Sequence, residues 1–241
     1  MLTLFKTASA VLSFSTAHPG QRRALAAGGW LLAAAMLAGC ALPDKPRRAA
    51  LYDFGPGELS AAPATPAASA AALGPLAIAD ITTSGGALDN QAVLYRLGYT
   101  DAQQLRPYSQ ARWSMPPAQL LRQRLRDRLS QRRVVLNARE GVVLNRSQHA
   151  NLPLLRLELE EFSQLFSSPE DSVGLVRLHA TLLEITPAGE KLTAQRTVVV
   201  QRPAPSADAS GGVRALTAAT DAAIDELAQW LAQTPAPASA R

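Results

Sequence analysis

The side chains with the greatest chemical potential in this sequence are few: one cysteine and three histidines among 241 residues. A single cysteine forms no intramolecular disulfide and builds no cysteine-based zinc site. The histidines, His18, His149 and His179, are far apart in the sequence, and His179 falls on the polar side of an alternating pattern that indicates a strand. We therefore expect no metal centre, no bound cofactor and no histidine-dependent nucleophile.

Three neighbouring carboxylates offer a second kind of chemistry. A pair of acids is what glycoside hydrolysis requires, and Glu158, Glu160 and Glu161 are close in sequence. However, Glu158 and Glu160 alternate with leucines, which is typical of the solvent side of a half-buried strand. The sequence therefore predicts that the protein is not an enzyme.

A row of arginines forms the densest charge in the chain. It comprises Arg122, Arg124, Arg126, Arg128, Arg132 and Arg133, with Asp127 as the one acid among them. One interpretation is a solvated helix face, and the other is a docking surface for an acidic partner or for lipid phosphates. Arg124 and Arg128 are spaced i, i+4 and project from the same side, so they are the candidate docking residues. Substitutions at such exposed positions are expected to alter stability little.

Aromatic residues cluster in one stretch of a chain that is only 5% aromatic. Tyr95, Tyr99, Tyr108 and Trp113 lie within 19 residues. Core packing accounts for them, and an interface is the alternative because aromatic side chains are enriched at binding hot spots. Tyr95, Tyr99 and Trp113 are therefore candidate partner contacts.

The net charge of +5 gives little support for a nucleic-acid partner. Residues 1–39 hold three of the 24 basic side chains and no acid, so the rest of the chain has 21 basic and 19 acidic groups. This balance is ordinary for a soluble domain. We expect no nucleic acid among the partners.

An export signal explains the basic N-terminus. Arg22 and Arg23 precede an uncharged 13-residue run, 24–36, which is shorter than the ~20 residues of a membrane-spanning helix but suits a signal peptide. The run leads into Leu37-Ala38-Gly39-Cys40, and the whole resembles a bacterial lipoprotein signal. We predict that residues 1–39 are the signal peptide.

The resemblance to lipoprotein signals implies that the Cys40 thiol carries a covalent lipid, which radioactive palmitate would label. Ala41, rather than an aspartate, follows the cysteine. By the sorting rule of such lipoproteins, this implies anchoring in the outer membrane with the domain facing the periplasm. Each buried CH₂ of the acyl chains contributes ~0.8 kcal/mol, so the anchoring should be stable.

The mature chain divides by composition. Residues 40–49 form a short polar tether, 50–232 form the domain, and 233–241 form a disordered tail. Within the domain, 60–73 is almost entirely Ala, Pro, Ser and Thr. Such an insertion lacks the apolar surface to join a core, and it is predicted to be a mobile loop.

Periodicity predicts two helices and eight strands. Leu121, Leu125 and Leu129 repeat at i, i+4, i+8 in a helix over 114–133, and a second amphipathic helix covers 211–231. Apolar residues at every second position, and short apolar runs between turns, indicate the strands. These are 50–54, 75–81, 92–99, 104–108, 134–136, 155–160, 176–182 and 192–201, the last two as a hairpin. This order predicts an α/β (α+β) fold, a two-layer sandwich of a mixed sheet with two main amphipathic helices packed on it.

The mature chain, over roughly residues 37–232, also resembles a family: the auxiliary lipoproteins of ABC-type transport systems, including the paraquat-inducible C-type lipoproteins that accompany MCE-domain lipid transporters. The resemblance depends on an ordered set of segments. They are the lipobox, Leu51-Tyr52-Asp53-Phe54, the strand 75–81, Val93-Leu94-Tyr95-Arg96 to Tyr108-Ser109, Tyr108-x4-Trp113-Ser114-x-Pro116-Pro117 leading into Leu120-Leu121-x3-Leu125, and the final long helix.

The resemblance implies a non-enzymatic periplasmic component that is tethered to a membrane. It would work with an MCE-domain protein and with an ABC permease and ATPase, and the cargo would be lipid. The alternative is an envelope-binding or hydrolytic periplasmic lipoprotein unrelated to transport. A convergent cluster of polar residues would favour that alternative, and the sequence offers none. The oligomeric state cannot be inferred from these patterns.

Overall fold

The computed structural model describes residues 48–57, 73–148, 152–186 and 189–234, with the side chains of 145–148 excepted. The predicted signal peptide and Cys40, almost all of the tether and of the insertion 60–73, and the tail from 235 onward lie outside the described residues, as do His18 and His149. No described helix is both long enough and apolar enough to cross a membrane.

Strand β7 organises the sheet. Three short strands that precede β7 in the sequence pair with it in parallel, one after another along its length. They are β2 (Leu76–Ile78), β3 (Thr82–Thr83) and β4 (Ala92–Leu97), and β7 itself is Leu152–Phe166. On the other side of β7, β8 (Ser172–Thr186) pairs antiparallel over nearly the whole strand, and β9 (Gly189–Pro203) pairs antiparallel with β8.

Three more strands extend the sheet beyond β4 and β2, on the side of β7 away from β8. They are β1 (Ala50–Tyr52), β5 (Asp101–Trp113) and β6 (Val135–Asn137). β5 is antiparallel to β4, β1 is parallel to β5, and β6 is parallel to β2. The order from edge to edge is β1-β5-β4-β7-β8-β9, with β2 and β6 beside the first part of β7. The described part of the chain thus forms a nine-stranded mixed sheet.

Three described helices pack on this sheet: α1 (Pro117–Ser130), α2 (Ala138–Gln148) and α3 (Ala209–Gln233). α1 begins after Pro116, since the first turn of a helix tolerates proline. Its leucine stripe is buried as predicted, because Leu121 and Leu125 are fully buried and Leu129 is 5% exposed. α3 contacts β7, β8 and β9, and its core side holds Leu216, Ile224 and Leu227. The side of the sheet that is covered by α1 and α3 is called the helix face below.

The N-terminus of α3 lies very close to the sheet. The backbone N–H of Gly211 donates a 2.7 Å hydrogen bond to the Asp208 carboxylate, which caps the helix. This N–H and the Ser206 hydroxyl hold the pKa of Asp208 below its usual value. A Cβ at Gly174 of β8 would come within 2.5 Å of the backbone of Ala215 and Leu216. Glycine is therefore required at 174, where helix and strand backbones touch.

The predicted α/β sandwich of a mixed sheet with two amphipathic helices is confirmed, but the sequence did not predict α2. α2 packs on the opposite face of the sheet, because Leu154 and Leu183 belong to its small cluster while Leu155 belongs to the main core. Neighbouring residues of a strand point to opposite faces. The helices therefore lie on both sides of the sheet.

Several strand boundaries also differ from the prediction. β7, β8 and β9 are each 15 residues long and extend beyond the predicted segments 155–160, 176–182 and 192–201 at both ends. β4 ends at Leu97, and Tyr99 lies in the following turn rather than on the strand. β5 runs over Asp101–Trp113, well beyond the predicted 104–108. β5 is longer because it pairs with β4 on one side and with β1 on the other, and these contacts override its polar composition.

Candidate functional site

Two arginines of α1, Arg124 and Arg128, face α3. Arg124 donates two hydrogen bonds to Asp221, Nε to Oδ1 at 2.7 Å and Nη2 to Oδ2 at 2.9 Å. One turn further, Arg128 Nε donates to Asp225 Oδ1 at 2.9 Å. Both helices advance four residues between the two pairs, so α1 and α3 run parallel here and form a ladder of two ion pairs.

This ladder corrects the expectation of an exposed surface at Arg124, whereas Arg128 is exposed, as the sequence predicted. The side chain of Arg124 is 21% exposed, and both guanidinium groups are engaged with carboxylates of the same chain. The physical reason is that α3 packs beside α1 and supplies acids at the matching spacing. The two arginines therefore join the helices, and they are poorly placed to recruit an acidic partner.

Reversing one charge of the ladder should destabilise the domain measurably. Arg124→Glu places a carboxylate against Asp221, and we expect a loss of about 1 kcal/mol in the free energy of unfolding, because this pair is half-exposed and screened by solvent. Urea denaturation of the purified domain measures this loss.

The matched control is the exchanged pair, Arg124→Glu with Asp221→Arg. The exchanged pair should recover most of the lost stability, since the two sites interact directly. If the double variant is as unstable as the sum of the two single variants, the pair does not join the helices.

A groove lies beside the ladder. It has a volume of about 540 Å³ and is lined by the loop 53–57, by α1 and by α3. Gly57 has a φ of +73°, and a Cβ there would come within 2.7 Å of the Arg124 guanidinium. The loop can therefore pass close over the ladder only with glycine at this position. The polar groups at the wall include the paired arginines and aspartates, which gives the groove mixed charge.

Trp113 lies in the core and not at a binding surface. It is fully buried, and its ring contacts Phe54 edge-to-face at 5.6 Å and Phe162 at 5.6 Å. The prediction that Trp113 contacts a partner is corrected by this burial: the side chain at the end of β5 points to the helix face, where the core closes around it.

Tyr95 and Tyr108 form a partly buried pair under the N-terminus of α3. Their ring centroids are 4.5 Å apart, and the Tyr108 hydroxyl donates a 2.8 Å hydrogen bond to the Gln164 side chain. Gln164 is fully buried and donates in turn to Ser172 at 2.7 Å. Burial, followed by the proximity of Tyr95 and Asp208, raises the pKa of Tyr108 well above its usual value, so the phenol stays a hydrogen-bond donor. This network fixes β5, β7 and β8 to one another.

Tyr99 is the aromatic candidate with the most open side chain. It is 44% exposed on the turn between β4 and β5. The structure therefore separates the aromatic residues that the sequence grouped together. Trp113 belongs to the core, Tyr95 and Tyr108 to a half-buried network, and Tyr99 to the surface.

Glu161 and His179, two of the residues considered for catalysis, are held in structural contacts. Arg96 binds Glu161 through two hydrogen bonds of 3.0 and 3.3 Å. His179 lies on the side of β8 that points away from the helix face, since its neighbours Leu178 and Ala180 belong to the main core, and its Nδ1 is 3.3 Å from the Thr197 hydroxyl. Within the described ranges, no three His, Cys, Asp or Glu side chains come together as a metal site.

Sequence reasoning missed the aspartates that hold the arginines. Asp221 and Asp225 are spaced i, i+4 on the final helix, as Arg124 and Arg128 are on the first. This matched spacing of opposite charges was the available signal. It predicts that the two helices are neighbours and parallel.

Comparison with known proteins places the chain by sequence and by fold. The profile of one family, described as the ABC-type transport auxiliary lipoprotein component, matches residues 58–229. Comparison with curated protein sequences gives no match.

Two solved structures share the fold. The protein XCC0632 from Xanthomonas campestris, of family DUF330, matches with a TM-score of 0.54 and 19% identity over 66% of this chain and 84% of that one. A second structure, of an uncharacterized protein, matches with a TM-score of 0.52 and 13% identity, over 76% of this chain and 99% of that one. At these identities the likeness concerns the fold alone.

Proposed function

The chain belongs to the family of ABC-type transport auxiliary lipoproteins, and from this membership we propose that it is a non-catalytic component of a lipid transport system. In this proposal it is anchored in the outer membrane through Cys40 and faces the periplasm. Its partners are an MCE-domain protein and an ABC permease with its ATPase. The family match carries the proposal, because it extends over 172 of the chain's residues, from Glu58 to Gln229.

The anchor is supported by the sequence alone. Leu37-Ala38-Gly39-Cys40 follows a basic pair and an uncharged run, and Ala41 favours the outer membrane. The chain has no second cysteine, so a lipid attached through a thiol has one possible site. A tethered domain meets its partners at a high local concentration, which suits an accessory component.

A non-catalytic role is supported by how the polar side chains are used. In the described domain, Glu161 binds Arg96, Asp221 binds Arg124, and His179 touches a threonine. Activated nucleophiles need an adjacent base that is itself oriented by a third group. These contacts instead fix strands and helices to one another.

The MCE-domain partner is supported by the ordered segments from Leu51 to Leu125 that resemble the lipoproteins of such transporters. Among the five candidate contact residues, Tyr99 remains as a proposed contact because its side chain is open to solvent. Tyrosine is a frequent anchor of protein interfaces. We place the contact with the partner at the turn between β4 and β5.

Co-isolation from cells tests this proposal. The full-length lipoprotein with a C-terminal tag should recover the MCE-domain protein and the ABC permease of the same cell after mild detergent extraction. Tyr99→Ser should reduce this recovery several-fold. Leu192→Ser is the matched control, because Leu192 is 56% exposed on the distant edge strand β9, and it should leave recovery unchanged. Recovery of neither partner with the wild-type chain would contradict the proposal.

A further inference from the structure

The edge strand β1 carries an exposed leucine that the core does not explain. Leu51 is 68% exposed, the highest value among the large hydrophobic side chains that the structure describes as exposed. In the register of β1 and β5, Leu51 lies beside Arg112, between the pairs Ala50–Ala111 and Tyr52–Trp113. Since Ala111 and Trp113 point into the core, Leu51 and Arg112 point away from the helix face.

Two arginines lie near this leucine. Arg112 is exposed next to it on β5. Arg48 is exposed two residues before β1 begins, so the alternation of side chains along the strand does not assign it to either face. Within the part of the chain that the structure describes, neither arginine forms an ion pair. An exposed apolar side chain close to basic ones is the composition that favours an anionic lipid surface, because guanidinium groups bind phosphates and the apolar group enters the interface.

The length of the chain fixes how far this edge can be from the anchor. Seven residues, 41–47, separate Cys40 from Arg48. At the maximal extension of a polypeptide, the Cα atoms of Cys40 and Arg48 are at most about 29 Å apart. β9 lies five strand spacings further across the sheet, or roughly 24 Å. An anchor at Cys40 thus favours β1 as the strand next to the bilayer, but because the extended tether is longer than the distance from β1 to β9, its length alone does not exclude β9.

We propose that the β1–β5 edge, through Arg48, Leu51 and Arg112, lies against the anionic phospholipid surface in which the chain is anchored. This proposal rests on the acyl anchor of the proposed function and adds the orientation of the domain to it. The helix face and the turn that carries Tyr99 are then presented to proteins of the periplasm, while the edge near the tether is occupied by lipid.

A probe at residue 51 tests this orientation. If acylation uses the chain's one cysteine, Leu51→Cys supplies the only free thiol, which can carry an environment-sensitive fluorophore. The full-length processed lipoprotein is reconstituted in vesicles of phosphatidylcholine alone or mixed with phosphatidylglycerol, with nitroxide on the lipid headgroups. The matched control is Val199→Cys, since Val199 is 49% exposed on the far edge strand.

Headgroup nitroxide should quench the probe at 51 strongly in the anionic vesicles and weakly in the neutral ones, and it should leave the probe at 199 little affected. Arg48→Gln and Arg112→Gln should each lower the ratio of docked to undocked domain about fivefold, as expected for one basic group near an anionic surface. Equal quenching at 51 and 199, or quenching independent of phosphatidylglycerol, would overturn the proposal. So would shielding of the probe at 51 that arises only when the MCE-domain protein is added.

Flotation of the same samples separates this inference from the proposed function. Wild-type chain that fails to float with either vesicle overturns the acyl anchor, and the docking of β1 with it. Chain that floats normally but shows equal quenching at the two positions overturns only the docking of this edge.

Discussion

Replacing Leu125 by aspartate should unfold most of the protein under conditions in which the wild type is folded. Leu125 is fully buried in the middle of α1, within the main core between α1, α3 and the sheet. Loss of a buried leucine costs about 2–5 kcal/mol, and an unpaired carboxylate in the same place adds several more. The total is comparable with the ~5–15 kcal/mol that stabilises a typical domain. Urea denaturation followed by circular dichroism measures it.

Gln123→Asp is the matched control for this substitution. Gln123 lies two residues earlier on α1 and is exposed, so the same new charge there should change stability by only about 0.5 kcal/mol. A Leu125→Asp protein that denatures at the wild-type urea concentration would show that this side of α1 is not packed on the sheet.

The second large effect concerns the anchor. Cys40→Ala should abolish labelling by radioactive palmitate and leave the protein as an unprocessed precursor or as a soluble periplasmic form. In the proposed anchor the Cys40 thiol receives the lipid, and the sequence contains no other thiol. Each acyl CH₂ contributes ~0.8 kcal/mol to membrane binding, so its loss should shift the protein from the membrane fraction to the soluble one.

Ala38→Ser controls for disturbance of the signal itself. Serine is also small, so the peptidase should still approach the backbone before Cys40 and labelling should persist. Equal labelling of wild type and Cys40→Ala would show that Cys40 is not the site of lipid attachment.

The parts of the fold that the sequence predicted are those with local periodicity. The spacing of Leu121, Leu125 and Leu129 predicted α1, because a helix brings residues four apart to one side. The alternation of Val176, Leu178 and Ala180 likewise predicted β8, and the predicted hairpin of β8 and β9 is confirmed. Such patterns identify an element and its buried side without any knowledge of its neighbours.

Helix α2 was missed because its apolar stripe is short: of its described side chains, only Ala138 and Val142, spaced i, i+4, pack against the small cluster on the sheet. Val142, Val143 and Leu144 are consecutive, and the helix depends on its contacts with the sheet. A local signal did exist. Asn137 accepts from the Glu140 N–H, and Glu140 accepts from the Asn137 N–H, each at 2.9 Å, which is a reciprocal cap at the helix start.

The candidate site was predicted least well, because whether a side chain is exposed or covered depends on elements that are distant in the sequence. Arg124 and Arg128 read as exposed on their own helix, and only α3, almost a hundred residues later, engages them. For Trp113 the sequence favoured core packing and left an interface as the alternative, and its burial depends on Phe54 and Phe162, which come from other segments of the chain. Local spacing cannot supply these partners.

We propose that this chain acts by binding transport proteins, and equilibrium binding with purified components measures this interaction. The lipidated full-length chain in detergent is titrated with the MCE-domain protein and, separately, with the permease–ATPase complex. We expect saturable binding to at least one of them, in the micromolar range or tighter, weakened by Tyr99→Ser and unchanged by His179→Ala. Absence of binding to both, or transport activity that His179→Ala abolishes while binding persists, would contradict it.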